Sequence, residues 1–444
     1  MIANIVAQVL EGLEKRAASP SMIRRGADLL NAWLDHGFDQ DLVQKIQAAR
    51  LADAVQYVYD HSPFYRERLG DLDAPLKEYE MPADMGALPF TTGDDIRDWQ
   101  RFLCVPREEL SAVFTTSGTM GEPKQVYFSR NDFQQLVNFS ALALLLRHSG
   151  PLQVLVALPM SHGLWIGSGS ASPIIQRAGG VPYPVGADDP QETLTWMQRF
   201  EFNVVISSPS YMTTLTQRAE KAGYRRSVDK IMLGGEILTE EQKARFQDYW
   251  SATILDSYGT TEMGGAQSLM LPGCDAFYLN DLHLYSEIVD PETGQPADEG
   301  ELVFTTLTRE AMPFLRYRSG DRVRWAECEG GLPFRTVQLL GRLDDLLVVG
   351  DMNLYGSVVA DAVTDIPGAE GRVRIRVERE EMVDRLTLLV EGKEASPEEV
   401  RRALFSAYPK ARTNVEHGIL ELEVRTGVDL SGQIKGFKIV DERA

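Results

Sequence analysis

Residues 114–124, FTTSGTMGEPK, gather the groups that phosphate oxygens bind. Thr115, Thr116, Ser117 and Thr119 bring hydroxyls, Pro123 stiffens the exit and Lys124 adds a cation. Gly118 and Gly121 let the backbone turn sharply and approach a ligand closely. N–H groups and hydroxyls crowded on such a turn form an anion cradle. Alone, the stretch is also an ordinary Gly/Ser/Thr hairpin turn. It is not GxxxxGK[ST], because Lys124 follows Pro123 and precedes Gln125. The company it keeps along the chain decides its chemistry.

The apolar run 126–128 follows directly, so the loop is expected between strands. Residues 130–265 alternate helical and strand patterns. Helices are expected at 131–147, 171–177, 193–200, 211–222 and 239–250, with Thr239 as N-cap of the last. Buried strands are expected at 154–158, 204–207, 230–233 and 253–256. Such alternation predicts parallel β/α architecture, in which ligands gather at the carboxyl ends of strands. Three strands end in suggestive loops, LPMSHG at 158–163, LGGE at 233–236 and DSYGTTE at 256–262. Strands expected at 284–289, 300–306 and 323–326 read as an antiparallel subdomain. Residues 1–70 read as helices, ended by SPFYR at 62–66, and the prolines and glycines of 71–94 read as loop. After 341–345 comes a small α+β pattern, with helices at 357–364 and 397–406 and strands at 372–377, 386–390 and 418–424. The fold class is therefore α/β, with a large domain over 1–343 and a small C-terminal α+β domain over 344–444.

A chain of 444 residues exceeds one ordinary core. A net charge of −20 argues against broad binding to nucleic acid or anionic membrane, so an anionic ligand needs a local positive pocket. Cys104, Cys274 and Cys328 lie far apart without a CxxC pair, which predicts no disulfide framework and a reducing, cytoplasmic setting. No run approaches the ~20 apolar residues of a membrane span. Residues 1–19 read as an amphipathic helix rather than a signal peptide, since Glu11, Glu14, Lys15 and Arg16 interrupt the apolar stretch.

Four segments in order resemble the adenylate-forming superfamily of acyl-CoA synthetases, peptide-synthetase adenylation domains and luciferases, and within it the phenylacetate-CoA ligase branch. They are TTSGTMGEPK at 115–124, YGTTE at 258–262, LRYRSGD at 315–321 and GRLDD at 341–345. HSPFYRERL at 61–69 and the wording of 301–321 resemble that branch in particular. The resemblance implies ATP binding by Thr116, Ser117, Gly118, Thr119, Gly121 and Lys124. It places Gly234, Gly235 and Glu236 beside adenine and Tyr258 and Gly259 around it. Thr261 would donate to the α-phosphate and Glu262 would hold Mg²⁺. Asp321 would accept ribose hydroxyls and Arg342 would reach phosphate or ribose. Each has a plainer alternative: a packed tyrosine, a solvated turn carboxylate, an Asx-turn aspartate, a surface ion pair. Aligning the tail SGQIKGFKIVDERA with the branch places the catalytic lysine at Lys435, with Lys438 as neighbour. Asp344 would be the hinge of a mobile small domain. The acyl pocket would lie among Phe139, Met160, His162, Trp165, Pro209 and Gly234, although any of these residue types also packs cores.

Two departures from the branch stand out. The resemblance implies that some members hold a structural zinc near the positions of Cys274 and Cys328. Here Tyr278 stands where a histidine is expected and Cys328 lacks a neighbouring cysteine, so no zinc is expected. In the CoA region, Asp351 replaces a glycine after the hinge. The implied activity is ATP- and Mg²⁺-dependent conversion of a carboxylic acid, aromatic by branch, to its adenylate, then transfer to CoA. One alternative is transfer to a carrier-protein thiol or an amine. Another is a nucleotide-binding regulatory protein without turnover, against which Glu262, Asp321, Arg342 and Lys435 argue. Homodimerisation stays open.

Overall fold

The short runs QVLVA, VVIS and KIMLG are rich in β-branched and aliphatic residues, and they form adjacent parallel strands buried on both faces. They belong to a computed structural model that describes residues 40–70, 80–116, 124–148, 150–160, 164–236, 238, 240–271, 273–328, 332–343, 346–349, 352–364, 366–380, 383–416, 418–430, 433 and 436–443. The expected amphipathic helix at 1–19, the rest of the helical region up to residue 39 and the N-cap Thr239 lie outside the described residues.

A hairpin of β1 (Leu110–Thr115) and β2 (Gln125–Ser129) flanks the loop 116–124 on both sides. The main sheet has eleven strands in the order β10-β11-β12-β13-β9-β8-β7-β6-β5-β3-β4. Its parallel part is β3 (Gln153–Ala157), β4 (Val181–Pro184), β5 (Val204–Ser207), β6 (Lys230–Gly234) and β7 (Thr253–Thr260). Its antiparallel part is β8 (Gly265–Leu269), β9 (Phe277–Leu279), β10 (Leu284–Val289), β11 (Glu299–Thr306), β12 (Tyr317–Ala326) and β13 (Thr336–Arg342). The parallel β/α and antiparallel parts expected from sequence thus share one sheet, and β7 and β8 are the seam.

Helices over and under the sheet have legible starts. The helix Arg130–Arg147 begins with a capping box, in which Ser129 Oγ accepts from Asp132 N and Asp132 accepts from Ser129 N, both at 3.0 Å. Asp132 also accepts from Glu310 N and Ala311 N, tying the helix start to the loop after β11. The helix Pro209–Lys221 has Ser208 as N-cap and Pro209 at its first position. Pro63 starts the helix Pro63–Gly70 instead of ending the helical region, for the same reason.

The four-stranded sheet β18-β17-β16-β19 has its own core of Val373, Ile375, Val377, Leu386, Leu388, Val390 and Leu404. Its strands are β16 (Val373–Glu380), β17 (Val383–Val390), β18 (Leu420–Thr426) and β19 (Phe437–Asp441), preceded by the hairpin β14 (Leu346–Val349) and β15 (Met352–Tyr355).

One expectation is corrected. Cys274 and Cys328 form a disulfide, with Cα atoms 5.6 Å apart. A separation of 54 residues hides the pairing in sequence. The fold supplies it, because Tyr278 on β9 lies opposite Thr336 on β13 and brings the flanking loops together.

Candidate active site

The seam between β7 and β8 builds the floor. Gly259 on β7 runs so close to β8 that a Cβ there would stand 1.9 Å from the Gly265 carbonyl oxygen. Gly234, at the end of β6, leaves no room either, since its Cβ would meet Ser257 O at 2.9 Å. Gly235 adopts φ +86, a left-handed conformation that favours glycine. The GGE and YGT wordings are therefore close-packing requirements before they are ligand contacts.

Two adjacent cavities open on this floor, of about 420 and 150 Å³. They share Gly235, Glu236, Ser257, Gly259, Thr260 and Arg342 as a common wall. At the smaller cavity, Tyr258 donates its hydroxyl to Asp321 Oδ2 at 2.6 Å. Arg342 Nη1 donates to Asp321 Oδ1 at 3.0 Å, from the residue directly opposite it across β12 and β13. Burial, then the neighbouring Asp321 charge, pushes the Tyr258 hydroxyl well above its usual range. Tyr258 therefore remains a neutral donor.

At the mouth of the larger cavity sits a second cluster. Glu262 is 5% exposed and accepts from the Tyr317 hydroxyl at 2.7 Å. Lys124 Nζ lies 3.3 Å from both that Glu262 oxygen and the Tyr317 hydroxyl. Burial alone would raise the Glu262 carboxyl. The Lys124 charge and the Tyr317 hydroxyl outweigh it and hold the carboxyl below its ordinary value. Thr116 and Lys124 are joined by Thr116 N donating to Lys124 O at 3.0 Å, which brings the two ends of the glycine-rich loop together. Thr261 is buried and its hydroxyl reaches Thr115 O at 3.5 Å. Glu236 accepts from Ser210 N and Ser210 Oγ at 2.9 and 2.8 Å, at the start of the helix Pro209–Lys221.

The sequence-predicted residues Thr116, Lys124, Gly234, Gly235, Glu236, Tyr258, Gly259, Thr261, Glu262, Asp321, Arg342 and Trp165 all line these cavities. Phe139 does not; it is buried in the core with its ring 6.0 Å from that of His283. Met160 is 46% exposed and Pro209 is buried at a helix start, and neither lines either of these two cavities. Ser117, Gly118, Thr119, Gly121, His162, Asp344, Asp351 and Lys435 lie outside the described residues. Lys438 lies within β19, opposite Arg374, and lines neither cavity, whereas Gly436 lines the smaller one. Gly436 and Phe437, with Ser357, Ala360, Asp361 and Thr364 of the helix Gly356–Thr364, bring the small sheet domain against the site.

Sequence reasoning passed over Tyr317 and the cavity's inner wall. Tyr317 lay within LRYRSGD and its strand alternation was the available signal. The wall is one stripe of the helix Arg130–Arg147, namely Leu136, Ser140, Ala143, Leu144 and Arg147. Their spacing of 4, 3, 1 and 3 follows the helical repeat, but nothing in it distinguishes a cavity from a core.

Comparisons with known proteins identify the family. Residues 34–307 match the family described as AMP-binding enzyme. The phenylacetate-coenzyme A ligase of Thermus thermophilus is 30% identical over 380 residues, covering 83% of this chain and 85% of that protein. That of Aromatoleum evansii is 30% identical over 362 residues, covering 79% and 82%. A 2-hydroxyisobutyryl-CoA ligase solved in the postadenylation state with an acyl-AMP shares the fold, with a TM-score of 0.72, 22% identity and 90% of each chain covered. The chain belongs to the AMP-binding enzyme family, in its adenylate-forming, phenylacetate-CoA ligase-like branch. It is an AMP-forming acid–CoA ligase.

Proposed function

We propose that the acid this ligase activates is aromatic, that activation needs Mg²⁺, and that each predicted residue acts as follows. The observation that carries the reading is the joining of two polar clusters, Tyr258–Asp321–Arg342 and Lys124–Glu262–Tyr317, along one pair of cavities backed by an apolar recess. Asp321 holds ribose hydroxyls through oxygens already oriented by Tyr258 and Arg342. Gly235 and Glu236 border the base. Lys124 and Arg342 bring cations to the site, each facing a carboxylate, Glu262 and Asp321, and bound Mg²⁺ would supply the further positive charge that a polyanion needs in a chain of charge −20.

The residues at the loop mouth fit a magnesium ion. Mg²⁺ is held by one or two carboxylates plus phosphate oxygens, and Glu262 is a buried carboxylate kept ionised, with Thr116, Thr260 and Thr261 on the same cavity wall. Bound there, the ion would neutralise charge on the phosphates. Glu262 would hold it and Tyr317 would orient Glu262. Lys435 would bridge the carboxylate and the α-phosphate; its chain neighbour Gly436 lines the smaller cavity. The small domain would turn about Asp344 between half-reactions. The acceptor is CoA, with Asp351 beside the thiol path. A cytoplasmic setting follows from the use of ATP and CoA and not from the cysteines, since Cys274 and Cys328 are paired. No described helix is long and apolar enough to cross a membrane.

The test is ATP–pyrophosphate exchange over a panel of aryl, alkyl and amino acids, repeated with CoA while thioester is followed. Aryl acids should drive exchange and CoA should capture the adenylate. Exchange driven only by amino acids, or an adenylate captured by an amine but not by CoA, would contradict the reading.

A further inference from the structure

At the smaller cavity, Gly436 just before β19 faces Ser210 of the helix Pro209–Lys221. A Cβ at Gly436 would stand 3.8 Å from Ser210 Cβ and 3.6 Å from the Gly371 carbonyl oxygen. A single added carbon fits there, whereas a branched side chain would push the two elements apart. Gly436 is held within the small domain, since its carbonyl accepts from Val373 N at 2.9 Å. The ring of Phe437 presses on Gly356, where a Cβ would meet it at 2.6 Å. The backbone at 436 therefore moves with the small sheet.

On the other side of the contact, Ser210 is fixed to the large sheet. It is the second residue of its helix, which Ser208 caps. Its N and Oγ donate to separate oxygens of Glu236, at 2.9 and 2.8 Å. Glu236 stands two residues beyond the end of β6, after Gly235 with its left-handed φ of +86. A carboxylate at a helix start satisfies a free N–H and is favoured by the helix dipole. Both Glu236 oxygens thus tie the first turn of the helix to the end of β6, which is more than bordering a base requires.

We infer that Ser210, locked by Glu236, is the seat on which the small domain rests for adenylation, and that it is a positioning residue for the lysine preceding Gly436. The inference rests on the role given to Lys435 above. A shift of Gly436 carries its chain neighbour with it, and misplacing a reacting group by ~1 Å costs on the order of 100-fold in rate. A seat used in one orientation of the small domain matters to one half-reaction, because the domain turns away for the other.

The test compares two rates on the full chain and its variants: phenylacetate-dependent ATP–pyrophosphate exchange, and thioester formation from supplied phenylacetyl-adenylate and CoA. Ser210→Leu and Gly436→Val should each lower exchange by about 30- to 100-fold and thioester formation by less than about 3-fold. Gly436→Ala, whose single carbon fits, should cost far less than Gly436→Val. Ser210→Ala keeps the contact and loses one bond to Glu236, so it should lower exchange by about 3- to 10-fold. Since both bulky changes press on one contact, the double variant Ser210→Leu/Gly436→Val should lose much less than the product of the single losses. Losses that multiply, losses that are equal in the two half-reactions, or exchange unchanged in both single variants would each overturn the proposal. A damaging Lys435→Ala beside a harmless Ser210→Leu overturns the seat alone. A harmless Lys435→Ala, or no exchange by the unaltered enzyme, overturns the role of Lys435 and the seat with it. Gly436→Val, on the small domain, keeps the test open should Ser210→Leu fail to fold.

Discussion

At the scale of single residues, the site works by setting charges before a ligand arrives. Glu262 is buried yet held ionised by Lys124 and Tyr317. Glu262→Gln should therefore raise the Mg²⁺ concentration needed for half-maximal exchange by about 10-fold or more and slow activation, with circular dichroism unchanged; an unaltered Mg²⁺ titration would remove Glu262 from the metal site. Lys435→Ala should lose adenylate formation by on the order of 100- to 1000-fold while ATP still binds. If Lys438→Ala proves the damaging change, the tail alignment is wrong. Asp256 behaves in the opposite sense to Glu262. Burial raises its carboxyl from 3.8 to about 7, so the folded state keeps a proton that the unfolded state has lost. Stability should then fall as pH rises from about 4 to about 7, and Asp256→Asn, which keeps an acceptor for Ser257 N, should remove that slope and raise the melting temperature at pH 8 more than at pH 5. Equal shifts at both pH values would show that Asp256 is not buried as described. Of these residues, Glu262 and Asp321 were legible because each stands in a short ordered motif. Asp256 stood in a motif, but Arg147 did not, and their meeting depends on a helix end reaching the middle of β7.

At the scale of elements, glycine positions carry the clearest forecast. In Gly259→Ala a methyl group would meet backbone, not a movable side chain, so β7 and β8 would have to part. The expected cost is at least about 2 kcal/mol of stability, with loss of activity. Gly86→Ala, where nothing lies within 4 Å of the added carbon, should be neutral or slightly stabilising and serves as its control. Thermal melts of the two variants that coincide would contradict the tight seam. The strand–helix alternation of 130–265 was readable because each buried strand is a short apolar run. Val181–Pro184 was not, since two prolines argue against a strand; it survives as the sheet's edge, where a missing N–H breaks no ladder on the open side. β19 was equally hidden. Its residues read as a polar tail, and only pairing alongside β16 makes FKIVD a strand. The Cys274–Cys328 pair shows the same limit, because sequence separation says nothing of which strands end side by side.

At the scale of the whole molecule, the eleven-stranded and four-stranded sheets meet at the smaller cavity: Tyr258 and Asp321 line it from the first, and the start of β19 with the helix Gly356–Thr364 from the side of the second. A molecule built this way can separate its half-reactions by mutation. Asp351→Gly should speed thioester formation, by removing bulk and a negative charge from beside a reacting thiolate, and leave exchange nearly unchanged. A variant that alters both steps, or neither, would move Asp351 away from the thiol path. The central claim is the activation step itself, and pyrophosphate exchange reads it without needing the acceptor. With Mg²⁺, ATP and labelled pyrophosphate, label should enter ATP only when a suitable aryl acid is present, and chelating the metal should stop it. Label entering ATP without any acid, or none entering with any member of a broad acid panel, would contradict the account.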